Sequence, residues 1–155
     1  MGAKNNVVAI WLGYFNSKEE FEEFTRVHYE LSETSKDISE VNSLFDNVFK
    51  LGKYNREIVE KEIQSNCMSC YELLKNASYL SEYAKSLSRE MSNYNCVIFI
   101  YDYHYDCEVG AYHNHGNSMD FFANLEYEKD DDVSIWVKRA RERMLKMKNE
   151  SEANR

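Results

Sequence analysis

Two groups of residues in this chain have the types from which chemical sites are built. Cys67-Met-Ser-Cys70 is a C-x-x-C, and His113-x-His115 follows later with Cys107 close by in sequence. A zinc ion takes about four such ligands, so the two pairs together would make one set. The same C-x-x-C acts as a redox pair when it opens a helix after a strand of a thioredoxin-like unit. Here the preceding Glu62–Asn66 is a poor strand, and no second C-x-x-C completes a zinc framework. The other group is Asp102, His104 and Asp106, with His113 and His115 nearby. Carboxylates and imidazoles at such spacing can exchange protons with a substrate or hold a metal. No nucleophile elbow, phosphate-binding glycine loop, dinucleotide glycine pattern or HExxH helix accompanies them. The pattern therefore reads as structural cysteines and as the solvated face of a hairpin, with no catalytic residue, cofactor or metal ligand assigned. The competing reading is a metal-binding protein or small hydrolase that uses this His/Cys/Asp cluster.

Charge narrows the classes further. The 155 residues carry a net −8, and residues 1–128 alone hold 21 Asp and Glu against 11 Lys and Arg, a balance of −10. An acidic body repels nucleic acid and anionic membrane and attracts basic protein surfaces. Direct nucleic-acid binding by this body is not expected. Basic residues gather instead at Lys138, Arg139, Arg141, Arg143, Lys146 and Lys148. On a helix they form an ordinary charged face, or else a patch for RNA or lipid. No apolar run approaches the ~20 residues that span a bilayer. Met1–Asn6 is polar and lacks a secretory pattern. The expected location is the cytoplasm, where free thiols are the rule.

The elements that position these groups follow from periodicity. Val7–Leu12 is a continuous apolar run that predicts a buried strand, ended by Gly13. Ser17 and Glu20 fit a capping box for a helix from Lys18 to Val27 or His28, with Phe21 and Phe24 on its apolar face. Residues 29–38 read as a loop. Val41, Leu44, Phe45, Val48 and Phe49 predict a helix, with Gly52 placed to end it in a left-handed cap. Asn55 caps a short helix carrying Ile58 and Val59, Ile63–Met68 is left open, and helices follow over Ser69–Leu74 and Ser81–Met91. Val97–Tyr105 is the clearest strand. Met119–Tyr127 alternates as well, and Gly110, Asn114, Gly116 and Asn117 lie between, so the two predict a long antiparallel hairpin. Tyr101, Tyr103 and Tyr105 share one face of its first strand by alternation. Tyr101 reads as core; Tyr103 and Tyr105, nearer the hairpin end, suit either core or a binding surface. Asp130–Asp132 precedes a basic helix over about 133–148. The sum is one domain over 1–155 with its core at about 7–127. Its class is α+β: a small, mainly antiparallel sheet with a long hairpin, covered by several helices, plus a C-terminal helix. Val8, Ile10, Phe21, Phe24, Phe45, Phe49, Val97 and Phe99 are the predicted core.

Val8-Ala-Ile-Trp11-Leu-Gly13-Tyr-Phe15, followed by Ser17-Lys-Glu-Glu-Phe21, resembles the opening of the immunity protein 22 family of bacterial polymorphic toxin systems. That opening has a strand ending in Trp-x-Gly-x-Phe, then Ser and an acidic helix. Phe45 and Phe49 are similar to the family's paired aromatics, and Tyr54–Glu60 to its Tyr-Asp…Glu segment. Leu73-Leu74 with Ser78-Tyr79-Leu-Ser-Glu-Tyr83 resembles its Leu-Leu…Ser-Tyr-Ser-Glu-Ser-Phe block, and Val97–Tyr101 leading to Tyr105-Asp106 its closing strand. Order and spacing carry the resemblance, over about residues 7–127. The Cys67/Cys70 segment and the basic helix after Asp132 are departures or additions. The resemblance implies a non-enzymatic inhibitor in interbacterial competition, encoded beside a toxin whose activity is often nucleolytic. A nuclease presents a basic cleft to phosphates. An acidic protein can occupy or flank that cleft, and complementary charge speeds the encounter. The expected partner is the toxin's C-terminal domain, bound stoichiometrically. The expected contacts are Glu19, Glu20 and Glu23 of the first helix, or Asp102, Tyr103, Tyr105 and Asp106 of the hairpin.

Overall fold

A run of apolar residues without polar alternation belongs in a strand covered on both faces, and Val7–Leu12 is such a strand. The computed structural model, which describes residues 2–31, 38–128 and 143–144, places it inside β1 (Gly2–Tyr14), the middle strand of a five-stranded sheet. The elements that follow are α1 (Lys18–Thr25), β2 (His28–Leu31), β3 (Ile38–Val41), α2 (Leu44–Phe49), a 3-10 turn (Arg56–Ile58) and β4 (Val59–Ser69). Then come α3 (Cys70–Leu74), α4 (Ser81–Ala84), β5 (Met91–His104), β6 (Ala111–Asn114) and β7 (Asn117–Glu126). The sheet order is β4-β5-β1-β7-β6, with every pairing antiparallel, and β2 and β3 form a separate two-stranded sheet. The α+β class is as expected.

Alternation along β1 sends its side chains to two cores. Ala9 and Trp11 join Phe21, Phe24, Phe45 and Phe49, so α1 and α2 cover that face. Val8, Ile10 and Leu12 join Leu73, Leu74, Leu80 and Ala84 under α3 and α4 on the other. All eight residues predicted for the core are buried.

Several expectations are corrected. The long hairpin does not form: Val97–Tyr101 and residues 118–126 both pair with β1, which lies between them. The turn residues instead close a short hairpin, Ala111–Asn114 against Asn117–Asp120. Gly13 does not end β1. A Cβ there would lie 2.3 Å from the Ser118 carbonyl oxygen, so glycine permits the close approach of β7. The first helix stops at Thr25 and His28 begins β2, so the loop expected over 29–38 is strand at 29–31 and 38, while 32–37 lies outside the described residues. Lys50, at φ 56° and ψ 48°, takes the left-handed cap assigned to Gly52. Val59 belongs to β4 rather than the short helix, and the helix expected to reach Met91 ends at Ala84. The basic helix over 133–148 lies outside the described residues apart from Arg143 and Met144.

Candidate partner-binding surface

Ser17 starts α1 by accepting the Glu20 N–H at 3.1 Å, and its hydroxyl donates to the Glu20 carboxylate at 3.2 Å. Because Phe21 and Phe24 are buried, the rest of the helix must face water, and Glu19, Glu20, Glu22 and Glu23 are all exposed. Glu23 pairs with Arg26 at 2.6 Å and Glu22 approaches Lys18 at 3.8 Å. The three acids singled out in this helix are therefore on one accessible element, as a contact surface requires.

The four hairpin residues fare differently. Asp102 sits at φ +56°, where the β1–β5 register slips, and its carboxylate accepts the Asn6 N–H at 3.1 Å and the Tyr127 hydroxyl. It fastens a bulge. That bulge also reverses the faces of β5: Tyr101 lies in the core under α3 and α4, while Tyr103 and Tyr105 lie in the one under α1 and α2. Tyr103 is 0% exposed and Tyr105 1%, so in this fold neither ring is a surface contact. The Tyr103 hydroxyl accepts the Gly52 N–H at 3.1 Å. The Tyr105 hydroxyl donates to the Phe49 carbonyl at 2.7 Å and accepts the Val109 N–H at 2.9 Å. Asp106 is exposed, 3.3 Å from His104 Nδ1.

The groups that suggested chemistry are not assembled. Among the described residues no three His, Cys, Asp or Glu side chains gather as a metal would need. Cys67 and Cys70 are free thiols at the end of β4 and the start of α3, and burial pushes the Cys70 thiol up, away from the reactive thiolate. His113 and His115 are exposed in and beside the β6–β7 turn.

The sequence names no clear element over 63–68; the structure makes that stretch the second half of β4, and the first half, Val59–Ile63, carries a surface that the periodicity does not announce. β4 pairs with β5 from Val59 to Ile63, and among the described residues nothing pairs with its other edge. Odd-numbered side chains face α1: Lys61 donates to the Thr25 hydroxyl at 2.8 Å. A groove of about 580 Å³ opens on that side, between the end of α1 and the Tyr54–Arg56 segment. Even-numbered side chains face α3: Glu60 accepts the Tyr101 hydroxyl at 2.6 Å, the Ser78 N–H at 3.1 Å and the Ser78 hydroxyl at 3.0 Å. A smaller groove of about 290 Å³ lies there, lined by Glu60, Glu62, Leu73 and Asn76 among others.

The family model described as Immunity protein 22 matches residues 8–128. The chain belongs to the immunity protein 22 family. Among curated proteins and solved structures nothing matches. Membership supports an immunity function and leaves the metal or hydrolase reading without support. The family-like blocks also meet in space in this immunity protein 22 chain. Glu60, Ser78 and Tyr101 come from three of them and share one hydrogen-bonded node. Tyr54, from the same block as Glu60, and Phe45, from a fourth block, line the larger groove. The order of the blocks was legible in the sequence; that two of the blocks frame the edge of β4 was not, because nothing in Glu60–Asn66 alternates strongly enough to announce a strand. Among the described residues no helix is long and apolar enough to cross a membrane.

Proposed function

We propose that this protein binds the C-terminal toxic domain of a cognate bacterial toxin and neutralises it by forming a stoichiometric complex. The toxin is a basic nuclease, the inhibitor works in the cytoplasm without catalysis, and the pair serves competition between bacteria. The observation that carries this reading is the family match over residues 8–128. The balance of −10 over residues 1–128 fits it, since a phosphate-binding cleft is positively charged. Glu19, Glu20 and Glu23 on α1 form the proposed steering face, and exposed Asp106 is a second acidic site near the end of β5. Charged rim contacts of this kind act chiefly on association rate.

The test is rescue and stoichiometry. Co-expression with the toxic domain encoded beside this chain's gene is expected to restore growth, and the purified pair to run as a one-to-one complex that blocks nucleic-acid cleavage. Reversing Glu19, Glu20 and Glu23 to Lys should slow association at low salt, with the difference shrinking as salt shortens the screening length from ~10 Å at 0.1 M. Growth that stays arrested with soluble, folded inhibitor present would sink the proposal.

A further inference from the structure

Sheet edges display unpaired N–H and C=O groups, and folded proteins blunt them with short strands, bulges or outward charges. The two edges of this sheet are treated differently. β6 has four residues, and its Tyr112 ring stacks on Phe24 at 4.9 Å. β4 keeps an unbroken register with β5 over Val59–Ile63, and its irregularity comes only after that, between Ile63 and Met68. Two of the charges on this stretch are drawn over the faces of the sheet. Glu60 turns under α3 to Ser78 and Tyr101, and Lys61 turns under α1 to Thr25. The edge therefore has a groove on either side and a regular five-residue backbone between them.

We propose that Val59–Ile63 is the docking edge for the toxin, which adds an extended strand of its own beside β4 and sends alternate side chains into the two grooves. In this mode main-chain hydrogen bonds supply affinity and the flanking pockets supply selectivity. The charges fix what the strand carries. Towards α1 it meets Lys61, an exposed side chain whose ammonium donates to the Thr25 hydroxyl and is partly desolvated by its neighbours, beside a groove lined in part by Val59, Phe45 and Ile98. The arriving side chain there is a carboxylate flanked by apolar residues. Burial holds the Lys61 pKa below its usual range, and an incoming carboxylate offsets that. Towards α3 the strand meets Glu62, exposed beside Glu60 and accepting from the Gln64 amide, so two carboxylates face it and its side chain on that face is basic. The acidic face of α1 adjoins the same surface, since Glu22 and Thr25 line the larger groove. Steering and docking thus belong to one side of the molecule. This inference rests on the toxin-inhibitor reading and adds to it the place and manner of contact.

Hydrogen–deuterium exchange on the full chain reads the edge directly, alone and with a catalytically disabled form of the toxic domain encoded beside it. Alternate amides of Val59–Ile63 point away from β5; these are expected to exchange rapidly in the free protein and to slow by about tenfold or more in the complex, with β6 unchanged. Lys61→Glu is expected to weaken the complex about tenfold while circular dichroism stays native. A complex that forms without protection of Val59–Ile63 overturns this inference and leaves the inhibitor reading standing. No complex at all removes both. Protection already present in the free protein overturns it too. With a dimeric mass, the edge belongs to a second copy; with a monomeric mass, to another segment of the chain. Unchanged affinity in Lys61→Glu, with protection retained, overturns the carboxylate assigned to the incoming strand.

Discussion

Asp46 is a carboxylate 3% exposed, with donors gathered around it. Oδ2 accepts the Ser43 N–H at 3.2 Å and lies 3.0 Å from Arg56 Nη1, while Oδ1 accepts the Tyr54 hydroxyl. Ser43 Oγ in turn accepts the Asp46 N–H at 3.1 Å, completing a capping box at the start of α2. One side chain thus ties the helix to the segment that walls the larger groove. Asp46→Asn preserves shape but sets an amide donor among donors and removes the carboxylate charge 3.0 Å from Arg56 Nη1. The expected loss is about 2–4 kcal/mol of stability, below the range for a fully buried pair because Arg56 is partly exposed. Urea unfolding measures it, and a midpoint equal to wild type would mean that this network is not formed. Phe99→Ala probes the opposite face, where the ring packs under α3, and about 3–5 kcal/mol is expected there.

Among the elements, two asparagines act as strand partners where the chain runs out of ladder. The buried Asn95 side chain accepts the Phe15 N–H and donates to the Phe15 carbonyl, both at 3.0 Å, extending the β1–β5 pairing past Tyr14. Asn124 does the same for Tyr105 beyond the end of β5, at 2.9 and 2.7 Å. Asn95→Ala orphans two buried backbone groups and is expected to cost about 2–4 kcal/mol, with the Phe15 amide losing exchange protection before the rest of β1. Uniform loss of protection along β1 would contradict this. These substitutes explain part of what the sequence conceals. A continuous apolar run announced β1 as a strand covered on both sides, and a strand of that kind belongs in the middle of a sheet. The hairpin expectation did not use that constraint: alternation and intervening turn residues cannot say that β1 inserts between β5 and β7. The tyrosine face was misjudged for a backbone reason, since a single left-handed residue, Asp102, reverses the alternation. Helix caps at Ser17 and Asn55 were legible because capping is local chemistry. The outer edge of β4 was not, because it is defined by the lack of a pairing strand among the described residues.

For the molecule as a whole, twelve tyrosines and a net charge of −8 make alkaline pH the informative stress. Burial, and then the Asp46 carboxylate, hold the Tyr54 hydroxyl far above its ordinary range. Burial does the same for Tyr101, with Tyr127 adding to it, and burial beside Asp120 pushes Tyr94 up to about 12. In the unfolded chain these groups ionise near about pH 10. Above that the native state binds more protons than the unfolded state, so stability falls as pH rises; below it the tyrosines contribute no slope. Burial, and then Asp102, hold Tyr127 up as well. Each tyrosine that stays protonated contributes about 1.4 kcal/mol per pH unit, so Tyr54, Tyr101 and Tyr127 set a slope of about 4 kcal/mol per unit well above that pH. Self-repulsion of an acidic chain acts in the same direction. The urea midpoint should be level up to about pH 9 and drop steeply beyond about pH 10, while tyrosinate absorbance of the native protein reports only part of its tyrosines until unfolding releases the rest. Tyr54→Phe should shallow the slope by about 1.4 kcal/mol per unit, which separates the titration of one hydroxyl from general charge repulsion. A midpoint unchanged up to about pH 11, or a slope indifferent to Tyr54→Phe, would show that these hydroxyls are not held protonated by the fold.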